Sequence, residues 1–472
     1  MLAVLLLGAF AACTEGPPLP VGVTIEPTAA TLSPLTSQDF TANVTGTQDT
    51  SVTWSTTGGT VIGSGNTITY TSPLDPGAYE LTATSNADAS RSATADITVT
   101  APAGSDTDKL LAEDGQAGDR FGWVVAVDGD TVVVSAPFND AAAEDAGAAY
   151  VFVREAAGWV QQARLTADDA AAGDLLGWSV AFDGDTVALG NAAEPHSAVY
   201  VFTRSGATWT QQQRLVAADA ANQDQFGRAL ALDGDTLLVG APRHDGVAVD
   251  AGAVYRFTRS GDTWTEQETF TAGDGQTNER FGHAIDLVGD LSVIGAYGVE
   301  GGDPLTGYAY VFADLGGGWA EWQKLTTTPF LDGDWFGHAV ALRADTVVVA
   351  AKRDDYPEKD SGSVHVFRGP SDDWASRVKL APADGAAEQE FGHAVALDAG
   401  LLVVSTLVDP GTVYLFEEGA GGDWVEGSSF QVSGGSFGRS VGVSGRTVVV
   451  GADRDDELGL RAGAAYVFDL GP

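Results

Sequence analysis

Apolar and polar positions alternate with period two in short runs bounded by Gly, Pro, Asn and Asp clusters, a pattern that predicts strands and hairpins. Between residues 21 and 100 the runs include Val23-Thr24-Ile25, Phe40-Thr41-Ala42-Asn43-Val44, Ser51-Val52-Thr53-Trp54-Ser55, Tyr79-Glu80-Leu81-Thr82-Ala83-Thr84 and Ala95-Asp96-Ile97-Thr98-Val99. They predict a small antiparallel sandwich with Trp54 in a central strand and in the core. From residue 105 onward the pattern repeats as a unit. Phe-Gly stands at Phe121-Gly122, Phe226-Gly227, Phe281-Gly282, Phe336-Gly337, Phe391-Gly392 and Phe437-Gly438, with Leu176-Gly177 as a seventh, variant copy. Each is followed by two apolar strands around a Gly- or Asp-containing turn, as in Val125-Ala126-Val127-Asp128-Gly129-Asp130-Thr131-Val132-Val133-Val134. A third strand recurs seven times, from Ala149-Tyr150-Val151-Phe152 to Ala465-Tyr466-Val467-Phe468. A fourth, opening at Trp159, Trp209, Trp264, Trp319, Trp374 or Trp424, recurs only six times.

The missing strand is informative. The last unit stops at Phe468, and the array is preceded by an orphan, Lys109-Leu110-Leu111, that fits the end of a fourth strand. The expected architecture is therefore all-β: a seven-bladed β-propeller over residues 105–472, closed by an N-terminal strand. An open solenoid would cap both ends with polar repeats instead. At roughly 53 residues per unit, seven units account for the whole stretch.

Composition narrows the partners. The chain has 472 residues, more than one hydrophobic core normally organises, which agrees with a module followed by an array. Its 24 Lys and Arg against 65 Asp and Glu leave a formal charge of −41, which repels phosphate backbones and excludes nucleic acid. A hydrophobic content of 44% is too high for an acidic disordered chain. A single Cys rules out a disulfide framework.

That cysteine ends a leader. Residues 2–10 form an apolar run too short to span a bilayer, followed by Phe10-Ala11-Ala12-Cys13. The segment resembles the lipobox of bacterial lipoproteins, although no Lys or Arg precedes it. The resemblance implies a signal peptide over residues 1–12, lipidation of Cys13, a tether over 13–20, and a place in the bacterial cell envelope, anchored to a membrane and exposed to periplasm or cell surface. The 21–100 module resembles bacterial immunoglobulin-like domains of group 2, which implies a spacer. The repeated units resemble the FG-GAP repeats of integrin α-subunit propellers and their bacterial relatives. Gly240-Ala241-Pro242 carries the second half of that name, with Ser135-Ala136-Pro137 and Gly451-Ala452-Asp453 as looser copies. The resemblance implies a propeller that binds a protein or glycan, in adhesion or surface recognition, without catalysis.

Candidate chemistry is sparse. Integrin-type relatives hold calcium in a long acidic loop between strands one and two. Here that loop has shrunk to Asp128-Gly129-Asp130, Asp183-Gly184-Asp185 and Asp233-Gly234-Asp235, too few oxygens for calcium, so plain turns and no cofactor are expected. A second acidic set precedes each Phe-Gly, as at Asp114 and Asp119 or Asp219 and Asp224, and reads as turn and cap residues, with an inter-blade cation as the sharper alternative. His283, His338 and His393 share one position, two after the Phe, where other units place Trp123, Trp178, Arg228 and Arg439. Three His match the ligand count of some zinc sites, which makes them candidate metal ligands; copying along with the unit is the plainer account. The loops between strands two and three, at 138–146, 243–251, 297–306, 352–361 and 453–462, share a face with the connections between blades. They carry Asp140, Asp145, Asp245, Asp250, Asp354, Asp355, Asp455 and Asp456, the candidate ligand face, against the blander reading of solvated loops. No catalytic motif stands in a fitting context. The rivals to a binding protein are a propeller enzyme acting on polysaccharide, which needs a deep pocket with convergent carboxylates, and an envelope component without specific ligand.

Overall fold

The computed structural model describes residues 20–32, 37–72, 77–99, 107–191, 197–219, 221–298, 307–314, 316–327, 333–369, 374–409, 411–419, 422–432 and 435–471. The chain forms two compact units, Met1–Gly104 and Ser105–Pro472. Cys13 and the leader lie outside the described residues. Among the described residues no helix is long and apolar enough to cross a membrane.

The first unit has eight strands: β1 Gly22–Glu26, β2 Ala29–Leu32, β3 Ser37–Thr45, β4 Val52–Thr56, β5 Thr60–Ile62, β6 Thr67–Thr71, β7 Gly77–Ser85 and β8 Ser92–Val99. They make two sheets, β1-β3-β6-β5 and β2-β8-β7-β4. Alternate residues face a shared core centred on Phe40, Tyr70, Leu81 and Ala83, all fully buried. Two expectations are corrected. The β2–β8 pairing is parallel, from Ala29 opposite Asp96 to Leu32 opposite Val99, so the sandwich is not purely antiparallel. Trp54 lies on β4, an edge strand, and packs half-buried against the core margin with its indole N–H donating to the Gly65 carbonyl at 2.9 Å. An indole carries a donor that needs a partner, and the edge supplies one.

The second unit is seven four-stranded sheets, numbered here by their Phe-Gly or Leu-Gly pair in chain order. Blade 1 contains Val125–Asp128, Thr131–Ala136, Ala148–Glu155 and Gly158–Leu165, each antiparallel to the next. Blade 7 contains Gly435–Ser444, Thr447–Arg454 and Ala464–Asp469 and is completed by Thr107–Leu110 from the start of the array. Leu110 stands opposite Ala465, Lys109 opposite Tyr466 and Thr107 opposite Phe468, as the strand count implied. Lys109 Nζ reaches Asp455 at 3.0 Å and Glu457 at 2.5 Å, and Leu110 is buried against Ala465 and Val467. The first strands touch one another around the ring, blade 7 against blade 1 included, so they are innermost and the ring is closed.

Second strands read as continuous apolar runs because both faces of each sheet are covered by neighbouring blades; every residue of Thr131–Ala136 is buried. The recurring Phe packs edge-on against the third-strand aromatic of its own blade, as Phe121 against Tyr150 at 5.5 Å and Phe437 against Tyr466 at 5.5 Å. The Gly after it does different work. Gly337 has φ +89°, and a Cβ there would sit 2.1 Å from the Tyr308 carbonyl oxygen; its own carbonyl lies 2.2 Å from where a Cβ of Gly295, in the second strand of blade 4, would be. The two halves of the repeat motif are thus a glycine pair across a blade seam, where main chains come closer than side chains permit.

At the opposite face the shortened Asp-Gly turns form clasps. Asp128 accepts the Gly184 N–H at 3.0 Å, Asp183 that of Gly234 at 2.7 Å, Asp233 that of Gly289 at 2.5 Å and Asp398 that of Gly445 at 2.7 Å. Ser444 accepts from Gly129 at 3.1 Å, and Asp286 from Leu342 at 2.7 Å. At the remaining seam, blade 5 to blade 6, Arg343 replaces the Asp and pairs with Glu418 at 2.7 Å. The second Asp of the turns holds a third-strand Arg, as Asp185 with Arg204 at 2.7 Å. A use for each carboxylate as a turn residue is therefore visible.

Asp286 also lies in an innermost strand, Ala284–Val288, at the position held by Ala126, Ala181, Ala231, Ala341 and Ala396 in other blades. Burial pushes its carboxyl up to about 6, against the pull of the Leu342 and Leu287 N–H groups, and Asp233 adds to the rise. An unfolded Asp titrates near 3.8, so between that value and about 6 the folded chain keeps a proton that the unfolded chain has lost. Stability therefore falls as pH rises through this window, by at most roughly 3 kcal/mol, and the deficit is complete above it. Asp286→Ala is expected to gain on the wild type in urea unfolding as pH goes from 4 to 7. The lost Leu342 bond adds an offset that does not change with pH, so a difference that stays constant over this range overturns the assignment.

Candidate functional site

The residues two places beyond each Phe stand at the mouth of the central channel, on the face of the loops between strands two and three. The Arg439 guanidinium lies 3.8 Å from the Trp123 ring, Trp123 and Trp178 are 4.8 Å apart, and Arg228 is 5.5 Å from Trp178. His283, His338 and His393 continue the circuit at 5.4 and 5.8 Å. A second tier comes from the residue before each Phe and from those just after the second strand. Arg120 lies 4.7 Å from Phe138 and 5.7 Å from Trp123; Tyr297 is 4.2 Å from His283 and 5.3 Å from Trp335; Arg353 lies 4.0 Å and Lys352 5.1 Å from Trp335.

The backbone at this rim is strained in every blade. The residue before the Phe, or Leu176, is left-handed and never Gly: Arg120, Leu175, Gln225, Arg280, Trp335, Glu390 and Ser436, with φ from 54° to 65°. Such a conformation costs a side-chain-bearing residue about 1–2 kcal/mol. Paired hydrogen bonds hold it: Arg280 N–H donates to the Asp250 carbonyl at 3.2 Å and Phe281 N–H to that of Ala251 at 2.9 Å, with the same two steps at Arg120–Phe121, Leu175–Leu176 and Glu390–Phe391. These four connections are thereby sewn to the loop of the preceding blade, and at the rim the side chains of Arg120 and Trp335 pack against Trp123 and His338.

The electrostatics of this mouth are opposite to those of the chain. Arg120, Arg228, Arg243, Arg280, Lys352, Arg353, Arg439 and Arg454 make eight of only 24 cationic residues in a protein of charge −41. Against them stand Asp453, 3.8 Å from Arg120; Glu390, 3.3 Å from Lys352; and Asp250, 3.7 Å from Arg280. Burial brings Arg228 down to about 10; Tyr297 opposes the shift, and the facing charges Arg439 and Arg280 have its own sign and deepen it. Burial, with Arg228, Lys352 and Arg280 as like-charged neighbours, holds His283 well below its ordinary range, and burial and Lys352 do the same for His338. Arg228, Trp178 and the three His keep some solvent contact although protein surrounds them, as expected of side chains lining a recess. Several buried donors or acceptors here have no hydrogen-bond partner among the described residues: Trp178 Nε1, Arg243 Nε, Arg280 Nε, His338 Nδ1 and His393 Nδ1.

The structure brings the three predicted His together, but as a row of rings inside a cationic field. Among the described residues no group of three His, Cys, Asp or Glu is arranged to hold a metal ion. Neighbouring positive charges repel a cation from that place, which corrects the metal assignment. The loop carboxylates brace their own loops. Asp140 accepts the Asp145 N–H at 2.7 Å, Asp245 that of Asp250 at 2.8 Å, Asp355 that of Asp360 at 2.9 Å and Asp456 that of Arg461 at 2.7 Å. Asp354 is buried, which opposes ionisation, yet bonds from His365, Lys379 and Ser363 outweigh this and hold its carboxyl low. Asp455 is engaged by Lys109 and Tyr466. The acidic set before Phe-Gly accepts third-strand Tyr hydroxyls, as Asp114 from Tyr150 at 2.9 Å, or turn N–H groups, as Asp119 from Gln116 at 3.0 Å.

The cationic character of the mouth escaped sequence reasoning because its cations occupy four different repeat positions. Tallying basic and aromatic residues by position within the unit was the available signal.

Among solved structures, the fold is similar to a protein from Lactobacillus plantarum at 16% identity, covering 69% of this chain and 90% of that one with a TM-score of 0.49. It is similar to the β-propeller domain of the Trilobed protease from Pyrococcus furiosus at 12% identity, covering 77% and 97% with a TM-score of 0.42. It also matches the acylaminoacyl peptidase of Pyrococcus horikoshii at 11% identity, covering 76% and 54% with a TM-score of 0.41. No curated protein matches the chain. The FG-GAP repeat model matches residues 105–152, 159–202, 209–257, 264–312, 319–367, 374–416 and 431–468. With seven registered repeats, each supplying one Phe- or Leu-Gly corner to one blade, the chain belongs to the FG-GAP repeat family.

Proposed function

We propose that the protein is a surface-displayed recognition module whose propeller binds a ligand at the channel mouth, with the first unit as an immunoglobulin-like spacer and Cys13 as the site of a lipid anchor. The observation that carries this reading is the run of seven left-handed, non-glycine residues around one opening. Strain of that kind persists where the surrounding fold overrides it, and it clusters at functional sites. Support for binding over hydrolysis comes from the carboxylates of the mouth, which stand opposite Arg and Lys rather than facing each other.

The test is a panel of glycans, peptides and extracellular proteins offered to the full chain, read by hydroxyl-radical footprinting. The expected result is a ligand that protects Trp178 and Trp335 while leaving the outer-strand Trp209 and Trp319 unchanged. A bound ligand whose footprint avoids the mouth, or a panel with no bound member, overturns the proposal.

A further inference from the structure

The chemistry of the mouth narrows the ligand class, an inference that rests on the reading above. Three features must be satisfied together. Arg228 and Arg439 are recessed cations, and the charged groups facing Arg228 are themselves cations, so an anionic group entering the recess relieves a like-charge conflict that the protein leaves in place. Both guanidiniums lie over indole rings, at 5.5 Å from Trp178 and 3.8 Å from Trp123, which fixes each plane; Trp123 is buried, and the partly exposed Trp178 offers aromatic surface beside Arg228. The free Trp178 Nε1, His338 Nδ1 and His393 Nδ1 are neutral groups suited to hydroxyls and ring oxygens rather than to charge. A bare anion uses the first feature only. An acidic peptide uses the first and part of the second. A sugar bearing a carboxylate uses all three: its anion meets Arg, its C–H face meets indole, and its hydroxyls meet the neutral donors and acceptors.

We propose that the channel mouth binds an acidic saccharide, taking a terminal or pendant uronic acid residue end-on. The end-on pose follows from the closed ring: seven blades surround the axis, so a ligand enters along it and cannot cross it.

The test is isothermal titration of the full chain with trigalacturonate, maltotriose, inorganic sulfate and tri-glutamate, on wild type and on Arg228→Gln, Arg228→Lys and Trp178→Ala. Thermal unfolding confirms that each variant is folded. Trigalacturonate is expected to bind the wild type and maltotriose not. Arg228→Gln should lose about tenfold or more in affinity, with partial recovery in Arg228→Lys, and Trp178→Ala should lose several-fold. Sulfate or tri-glutamate binding as tightly as trigalacturonate, with Arg228→Gln impaired and Trp178→Ala unaffected, overturns the saccharide assignment and leaves a general anion site that still serves recognition. Trigalacturonate binding that ignores both Arg228 and Trp178 overturns the site as well as the sugar. If neither trigalacturonate nor any other probe binds, the saccharide proposal fails, and the footprinting panel alone then decides the broader reading.

Discussion

A chain lacking Thr107–Leu110 is expected to melt at least 10 °C below the full protein and to aggregate as concentration rises. The four residues do three things at once. They pair along the last strand of blade 7, from Leu110 opposite Ala465 to Thr107 opposite Phe468. They place Leu110, 4% exposed, into a core shared with Val449, Ala465 and Val467 of blade 7 and Phe121 and Tyr150 of blade 1. They set Lys109 over Tyr466, 5.4 Å from its ring, with Asp455 and Glu457 as ion partners. Removal leaves the Ala464–Asp469 strand as a bare edge, a template for pairing with another chain. Point variants rank the three contributions. Leu110→Asp, which puts a charge into a closed core, should cost about 4 kcal/mol, whereas Lys109→Met should cost about 1 kcal/mol because its ion pairs are partly solvated. Differential scanning calorimetry on the deletion and both variants checks the order. A deletion that melts with the wild type means that blade packing alone closes the ring.

Gly337→Ala is expected to be among the most damaging single methyl groups that can be added to the repeat, at about 3–5 kcal/mol, or to prevent folding. Its φ of +89° is foreign to an L side chain, and the new Cβ would lie 2.1 Å from the Tyr308 oxygen and 3.0 Å from the Ala296 nitrogen, both main-chain atoms that cannot swing aside. Gly129→Ala is the control. Its φ of +52° is also positive, but nothing lies within 4 Å of the added carbon, so only the conformational cost of about 1 kcal/mol applies. Chemical denaturation of the two variants separates close approach from backbone strain. Equal losses would mean that the blade seam opens readily to admit a methyl group, against the tight main-chain contact described here.

Much of the propeller was legible because repetition turns single residues into columns. Phe121 and its counterparts mark a blade corner, and the six-to-seven mismatch in fourth strands marks the closing strand. Columns also mislead. His283, His338 and His393 stood out as a shared residue type, but ligation needs converging donors in a field that tolerates a cation, and Arg228 and Lys352 create the opposite field. The acidic loops suggested a negative face, yet composition does not say where a carboxylate points; Asp140 and Asp245 point back at their own loop N–H groups. The cationic mouth was hidden for the converse reason. Arg120, Arg228 and Lys352 belong to different columns, and only ring closure brings them to one opening. In the first unit, Trp54 drew attention to the wrong strand, since a large aromatic looks central in sequence although its indole N–H favours an edge.

The clasps on the face away from the mouth give the ring a direction of weakness. Six seams are joined by a side-chain oxygen gripping a backbone N–H, a contact that ionic strength scarcely alters, whereas the blade 5 to blade 6 seam relies on Arg343 and Glu418. A circle with seven identical joints has no preferred place to part; this one has a joint whose clasp is itself an ion pair, which dissolved salt weakens, and opening, when it comes, has an address.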